Sequence, residues 1–265
     1  MNVLSPNLKH AKAFLMMLDL NAKEYHFRTF DDTKKKGGGR NYCDTLENLS
    51  GTFKNVNQKS NGVFVVINDG GRVDAEITKI RAIFADTDGA PLDPIINSLE
   101  PHMVIETSPG KWHVYWLVDQ DFPSDKFKIT QTAIAKMFGT DRAVNNLSRV
   151  MRLPGFYHCK SEPFLCHIIK CNHKLARYSY DQIISGLQLD FNQNNTAKLD
   201  ASNQTPWGDK TKALADLENI LPYLSRCDYL QWRNVGFVIA EELDEDGRDL
   251  FIRWSRGDLE RSNQQ

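Results

Sequence analysis

Two aspartates close an apolar segment in the stretch RAIFADTDGA, residues 81–90. In an extended strand, side chains two residues apart leave the same face, so Asp86 and Asp88 would stand about 7 Å apart. Each carboxylate makes the other harder to ionise unless a cation lies nearby. The pattern therefore indicates a site for a cation. An Asp-rich surface turn is the alternative, because Asp, Thr and Gly are common turn residues.

A second group of candidate residues lies in SPGKWHVYWL, residues 108–117. Alternation along a strand puts Lys111, His113 and Tyr115 on one face and apolar side chains on the other. A face that carries an ammonium group and an imidazole suits the phosphates of a nucleotide. A partly exposed strand with a hydrogen-bonded histidine gives the same pattern.

Three further candidates follow in FGTDRAVNNLSRVMRLPG. Asp141 comes soon after the glycine that ends a predicted helix, where aspartates commonly cap or form turns. Arg149 and Arg152 are three residues apart, which would place them on one face of a helical turn. Such a pair can hold a phosphate group through bidentate hydrogen bonds, and it can equally form surface ion pairs.

Helices and strands alternate around these residues. A capping serine and a stripe of leucines predict a helix over residues 6–19. The other predicted elements are strands at 24–30, 62–68 and 77–86, a hairpin turning at Ser108-Pro109-Gly110, and a helix from Ser124 that stops at Gly139. This order predicts an α+β domain with a mostly antiparallel sheet over residues 1–188.

A change of composition divides the chain. Residues 189–211 are rich in Asn, Gln, Thr and Ser, which predicts a linker. Residues 212–265 contain three amphipathic helical patterns, which predict a small helical domain.

The composition narrows the function classes. A chain of 265 residues with 41% hydrophobic and 25% charged residues is typical of a soluble globular protein. The five cysteines, an odd number, argue against a disulfide framework. The sequence shows no signal segment and no long apolar run, which predicts a cytoplasmic protein that does not bind or span a membrane. The net charge of −1 requires any polyanion to bind at a local patch. Lys34, Lys35, Lys36 and Arg40 form one candidate loop, which either reaches phosphates or is simply solvated.

The order and spacing of these pieces over residues 60–160 resemble the RepB-like primases of the archaeo-eukaryotic primase superfamily. The residues that match its motifs are Asp86 and Asp88, Lys111-Trp112-His113, Asp141, and then Arg149 and Arg152. Two positions depart from the family pattern. Lys111 stands where a small residue is commoner, and His158 stands where an Asn often precedes Lys160 by two positions.

The resemblance implies a primase-type catalytic domain with an RRM-like, mostly antiparallel sheet and flanking helices. It implies that Asp86, Asp88 and Asp141 are catalytic and bind two Mg²⁺ or Mn²⁺ ions. Lys111, His113 and the two arginines would bind the incoming nucleotide. The implied function is template-directed synthesis of short primers on single-stranded DNA, with DNA polymerisation as a compatible extension, in the replication of a plasmid, phage or other mobile element. The implied partners are the template, nucleoside triphosphates and a replicative helicase domain in the same or another chain.

The tail resembles the helical primase C-terminal domain of the same family. The matching residues are Trp232, Gly236, Gly247 and Trp254. The chain ends soon after this pattern and without its usual last part, which implies a fragment of a longer replication protein.

Two other functions compete. FADTDGA also resembles the opening motif of haloacid-dehalogenase-type phosphatases, which place it near the start of a parallel sheet, whereas here it begins at residue 84. A non-catalytic module could instead bind single-stranded nucleic acid by stacking on Tyr115, Phe156 and Tyr157. The aspartates would repel the phosphates of such a ligand. Zinc is disfavoured, because the cysteines of HCKSEPFLCHIIKCNH are spaced Cys-x6-Cys-x4-Cys and FLCHII has the pattern of a strand, which would bury either Cys166 or His167.

Overall fold

A computed structural model describes the chain in five stretches: residues 4–33, 39–189, 191, 210–224 and 229–259. The chain divides into two compact units, Met1–Asn192 and Gln193–Gln265. Most of the predicted linker and residues 34–38 of the cationic loop lie outside the described residues.

The first unit contains both helices and strands. Its described helices are α1 (Leu8–Leu18), α2 (Leu46–Gln58), α3 (Leu92–Ser98), α4 (Ser124–Phe138) and α5 (Tyr180–Gly186). Its described strands are β1 (Tyr25–Asp31), β2 (Arg40–Asp44), β3 (Asn61–Val66), β4 (Ala82–Asp86), β5 (Met103–Ser108), β6 (Lys111–Leu117), β7 (Val150–Arg152), β8 (Tyr157–His158), β9 (Phe164–Leu165) and β10 (His167–Cys171).

The longer strands form two four-stranded sheets, in the orders β2-β1-β3-β7 and β10-β5-β6-β4. Neighbouring strands in both sheets run antiparallel. The α+β class with a mostly antiparallel arrangement is therefore confirmed. The strands divide between two sheets because β4 pairs with β6 and β3 pairs with β7.

One hydrophobic core serves both sheets of the first unit. Phe27 and Val65 come from the first sheet, Phe84 and Val114 from the second, and all four are at most 1% exposed. Helix α1 adds Phe14, whose ring lies 5.1 Å from that of Tyr115. Because both sheets bury apolar side chains in this one core, the two sheets are held in a fixed position relative to each other.

Several predicted boundaries shift by a few residues. Helix α1 is capped by Asn7, whose side chain accepts a hydrogen bond from Lys9 N, and not by Ser5. The predicted strand at 77–86 is regular only from Ala82 onward. The hairpin between β5 and β6 turns where predicted, and Gly110 there has a φ of +72°, a conformation that favours glycine.

The second unit has three described α-helices, α6 (Lys210–Ile220), α7 (Tyr229–Leu243) and α8 (Arg248–Arg256), at the three predicted helical patterns. They have a core of their own. Its buried members are Ala213, Leu217, Leu221, Ile239, Leu243, Leu250 and Trp254. None of the described helices has the length and apolar character needed to cross a membrane.

Candidate active site

Asp86 is the last residue of β4, and the strand register places it directly opposite His113 on β6. The Nε2 atom of His113 lies 3.6 Å from the Oδ2 atom of Asp86, which is longer than a hydrogen bond and leaves an electrostatic contact. The His113 side chain is 6% exposed and that of Asp86 is 28% exposed. The carboxylate thus faces partly toward solvent while the imidazole behind it is buried.

Thr87 fixes the turn that follows β4. Its main-chain N–H donates to Trp112 O at 2.9 Å, and its hydroxyl accepts from Trp112 N at 2.9 Å. The next residue, Asp88, has a φ of +36° and lies in a turn. The expectation that both aspartates continue one strand is therefore wrong for Asp88, because the chain leaves the strand between them.

Lys111 accompanies Asp88 at the start of β6. Its Nζ atom lies 2.5 Å from Oδ1 of Asp88, and both side chains are largely exposed. The Asp88 carboxylate raises the pKa of the Lys111 ammonium group. The β5–β6 hairpin and the turn after β4 therefore place Asp86 beside His113 and Asp88 beside Lys111.

Several neighbours shift the pKa of the Asp86 carboxyl. Burial raises it, but the charges of His113 and Lys111 and a hydrogen bond from the backbone of Asp88 lower it by more. The net pKa lies below the usual value. Asp86 is consequently ionised at neutral pH and can attract a cation.

Asp141 reaches the same region through its main chain. Its N–H donates to the carbonyl of Asp86 at 3.0 Å, and its carboxylate accepts from Ala143 N at 2.8 Å. Sequence reasoning missed Gln131 of α4, whose buried amide exchanges hydrogen bonds with both backbone groups of Phe84 and also donates to Val144 O. Gln131 thereby holds β4 and the Asp141 loop together.

The two arginines do not share a helical turn. Arg152 is the last residue of β7 and pairs with Phe64 of β3, while Arg149 precedes the strand and its carbonyl accepts from Ile67 N. That prediction is wrong because the backbone groups of these residues complete a sheet edge. Arg152 forms a bidentate ion pair with Asp32 at 2.7 and 3.1 Å. The Nε atom of half-buried Arg149 has no hydrogen-bond partner among the described residues.

Buried side chains connect the two sheets near these residues. Burial raises the pKa of the Cys166 thiol to about 12, and the nearby charges of Arg152 and Asp32 act on it in opposite directions. Burial, and then the charges of Asp86 and Cys166, raise the pKa of Tyr115. The Arg152–Asp32 pair thus influences the Cys166 thiol, and Asp86 influences the Tyr115 phenol.

No set of three His, Cys, Asp or Glu side chains within the described parts of the chain lies close enough together to hold a metal ion. The donor chemistry nevertheless fits Mg²⁺ or Mn²⁺, because the candidates are carboxylate oxygens. Asp88 already holds a cationic group, the ammonium of Lys111, and Asp86 lies against His113. Asp141 is tied to Asp86 through the backbone, so its carboxylate needs a side-chain rearrangement to join them.

The structure weighs against both competing functions. Tyr115 is 0% and Phe156 is 1% exposed, so neither ring can stack on a nucleobase, and Tyr157 is half-buried. The Asp-x-Asp motif follows a strand of an antiparallel sheet, whereas the phosphatase family needs a parallel one.

One family model matches more than half of the chain. The profile of the RepB DNA-primase N-terminal domain matches residues 34–178. A comparison with curated proteins found no match.

Three solved structures resemble the fold. The chain is similar to the archaeo-eukaryotic primase domain of the primase-polymerase of cyanophage S-2L, with 21% identity and a TM-score of 0.60 over 69% of this chain and 100% of that one. It is similar to the catalytic domain of primase RepB′ in complex with initiator DNA, with 17% identity and a TM-score of 0.54 over 75% of this chain and 100% of that one. It is also similar to primase RepB′, with 16% identity and a TM-score of 0.55 over 94% and 93% of the two chains.

Proposed function

Because the chain belongs to the RepB DNA-primase family, we propose that it synthesises short primers on a single-stranded DNA template by metal-dependent nucleotidyl transfer. The observation that carries the proposal is the pair of contacts Asp86–His113 and Asp88–Lys111, which β4, the turn after it and β6 bring together.

The proposed roles follow from charge and exposure. Two bound Mg²⁺ or Mn²⁺ ions would lower the charge barrier to attack of a 3′-hydroxyl on an α-phosphate. Asp86, Asp88 and Asp141 supply the carboxylates that would hold them. Exposed Lys111 would donate to the triphosphate, and His113 would do so from behind Asp86. Arg149, whose buried Nε atom has no partner among the described residues, would add positive charge. Asp32 neutralises part of the positive charge of Arg152, so only the remaining charge would attract the triphosphate.

The wider context is part of the same proposal. The neighbour in complex with initiator DNA supports a DNA template as the partner. The primase-polymerase of a cyanophage supports continued DNA polymerisation and replication of a phage, plasmid or other mobile element as the setting. A helicase domain would supply unwound template.

The test is incorporation of labelled nucleotide on a single-stranded template, with and without Mg²⁺ or Mn²⁺. We expect incorporation to require the metal and to fall at least about 100-fold in Asp86→Asn and in Asp88→Asn, since each removes a charge from the metal-binding group. Asp125→Asn is the matched control, because this aspartate is exposed on α4 away from the motifs. Thermal unfolding of the variants checks that the fold survives.

Two results would contradict the proposal. Full incorporation by Asp86→Asn would remove this carboxylate from the chemistry. Metal-dependent phosphate release from a phosphomonoester, with no nucleotide incorporation, would favour the phosphatase alternative.

A further inference from the structure

The hydroxyl group of Tyr115 lies directly behind the imidazole of His113. The two residues share one face of β6, and Oη of Tyr115 is 3.2 Å from Nδ1 of His113. Tyr115 is 0% exposed, and its ring packs against Phe14 and Phe84 at 5.1 and 6.1 Å. The phenol is therefore a rigid, water-free neighbour of the histidine.

The direction of this hydrogen bond follows from the partners available. Among the residues that the structure describes, Tyr115 Oη has no hydrogen-bond partner besides Nδ1 of His113. If Nδ1 carried a proton and donated it, the phenolic proton would be buried without an acceptor, at a cost of about 1–3 kcal/mol. The phenol must therefore donate to Nδ1. In a neutral imidazole the proton then resides on Nε2.

The phenol keeps its proton under ordinary conditions. Burial, and then the negative charge of Asp86, raise the pKa of Tyr115 well above its normal value. A tyrosinate would also stand next to the Asp86 carboxylate, which like-charge repulsion disfavours.

We propose that Tyr115 is a positioning residue for His113: its hydroxyl donates to Nδ1 and so holds the ring with its Nε2–H edge toward Asp86, where the incoming nucleotide would bind. This inference rests on the proposed function for the role of His113, but the contact itself does not. The second torsion of histidine is broad and nearly two-fold, so an imidazole without an anchor can turn over. The buried phenol selects one of the two orientations.

Nuclear magnetic resonance of the metal-free protein tests the contact without any activity. Long-range ¹H–¹⁵N correlations of the His113 ring, at a pH about two units above the free histidine pKa of ~6.5, should show an unprotonated Nδ1 and a protonated Nε2. In Tyr115→Phe the Nδ1 resonance should move toward that of an acceptor with no hydrogen bond. Tyr25→Phe is the matched control, since Tyr25 also buries a hydroxyl that hydrogen-bonds, there to Leu15 O and Asp19 O.

Steady-state kinetics of nucleotide incorporation tests the role. We expect kcat/KM for the nucleotide to fall roughly threefold to tenfold in Tyr115→Phe, mainly through KM, as loss of one aligned hydrogen bond predicts. Template affinity should not change, and Tyr25→Phe should match the unaltered protein in kcat/KM.

Each result decides the inference. A protonated Nδ1 in the unaltered protein overturns it, even if Tyr115→Phe does not fold. A shifted Nδ1 resonance with unchanged kcat/KM overturns the positioning role. If the Nδ1 resonance shifts in Tyr115→Phe but the unaltered protein incorporates no nucleotide, the proposed function is contradicted and the Tyr115–His113 contact stands.

Discussion

At the scale of single residues, Arg152 is constrained by the ion pair that it forms. Its side chain is 8% exposed and that of Asp32 is 2% exposed. Asp32 also accepts a hydrogen bond from Cys159 N, and the Arg152 guanidinium lies over the Phe64 ring at 4.6 Å. Removing one partner of such a buried pair leaves an uncompensated charge. Arg152 therefore contributes to the fold whether or not it also meets a nucleotide.

We expect Arg152→Ala to lower the free energy of unfolding by about 3–5 kcal/mol, because Asp32 is left buried and unpaired. Arg149→Ala should change stability little. Its nucleotide affinity should fall by about 1.5–3 kcal/mol if a charged hydrogen bond to phosphate is lost. Urea unfolding and calorimetric titration with nucleotide measure the two effects.

The double variant Asp32→Ala with Arg152→Ala separates charge from packing. Removal of both charges should recover part of the stability that Arg152→Ala loses. Equal unfolding midpoints for Arg149→Ala and Arg152→Ala would contradict this account of the ion pair.

The sequence identified the residue types of the candidate site but not all of their surroundings. The opposite placement of Asp86 and His113 follows strand alternation, which is a short-range property, whereas the turn at Asp88 does not. The partner of Arg152 lies 120 residues earlier in the chain, and no local pattern reports such a pair. The same limit applies to Gln131, whose contacts with Phe84 span 47 residues.

At the scale of secondary-structure elements, the turn after β4 is joined to the first residues of β6 through Thr87. Two hydrogen bonds with Trp112 hold this turn, and Thr87 is 1% exposed. The turn carries Asp88, and β6 carries Lys111 and His113. The relative placement of the acidic and basic groups thus depends on the buried Thr87.

We expect Thr87→Val to reduce nucleotide incorporation and to cost about 1 kcal/mol of stability, because the partly buried Trp112 N–H loses its acceptor. Thr87→Ser keeps the hydroxyl and should retain incorporation. Parallel measurement of incorporation and thermal unfolding checks both effects. Equal activity of the valine and serine variants would show that the hydroxyl is not required.

His102 joins the end of β6 to the segment after β10. Its Nδ1 accepts from Leu117 N at 3.0 Å, and its Nε2 contacts Ala176 O at 3.1 Å. Burial lowers the pKa of His102 to about 4 from 6.5. The unfolded chain therefore binds a proton at a higher pH than the folded one, so stability is present above about pH 6.5 and is lost as the pH falls toward about 4.

This shift predicts a loss of about 3 kcal/mol of unfolding free energy between those two pH values from His102 alone. His102→Asn should flatten that part of the pH profile, since the amide oxygen can accept from Leu117 N without binding a proton. Urea unfolding across the pH range measures the profile. An unchanged slope in His102→Asn would assign the pH dependence to other groups.

The elements that carry Asp86, Lys111 and His113 were predictable from the sequence, whereas the pairing of distant strands was not. Strand alternation and the Ser-Pro-Gly turn indicated the β5–β6 hairpin, because both signals are local. Strand β3 pairs with β7, which lies more than 80 residues later, and no local pattern predicts such a pair. This pairing divides the strands between two sheets. Helix α2 was missed, although Thr45 caps it through a hydrogen bond from Asn48 N.

At the scale of the whole molecule, each of the two units has a hydrophobic core of its own. The core of the first unit extends to Leu187 and Leu189, and Phe191 packs against it. A cut at Leu187 would therefore remove side chains that complete this core. The cut that preserves the first unit lies after Asn192, at the boundary between the units.

The last prediction separates starting a primer from extending one. Starting requires two nucleotides and a template to be held together without a duplex, whereas extension begins from a duplex. A second unit in the same chain raises the effective concentration of its contacts, by tethering, to the order of millimolar. We therefore expect a chain of residues 1–192 to extend an annealed primer with metal but to start new primers poorly. Trp254 is 2% exposed in the core of the second unit.

Trp254→Ala in the full chain should thus unfold the second unit and reproduce the defect of the 1–192 chain. Circular dichroism of the shortened chain checks that the first unit remains folded. If both proteins start primers as well as the full chain does, the second unit takes no part in initiation. Trp232 and Trp254 then serve only to stabilise a helical unit whose role lies elsewhere in replication.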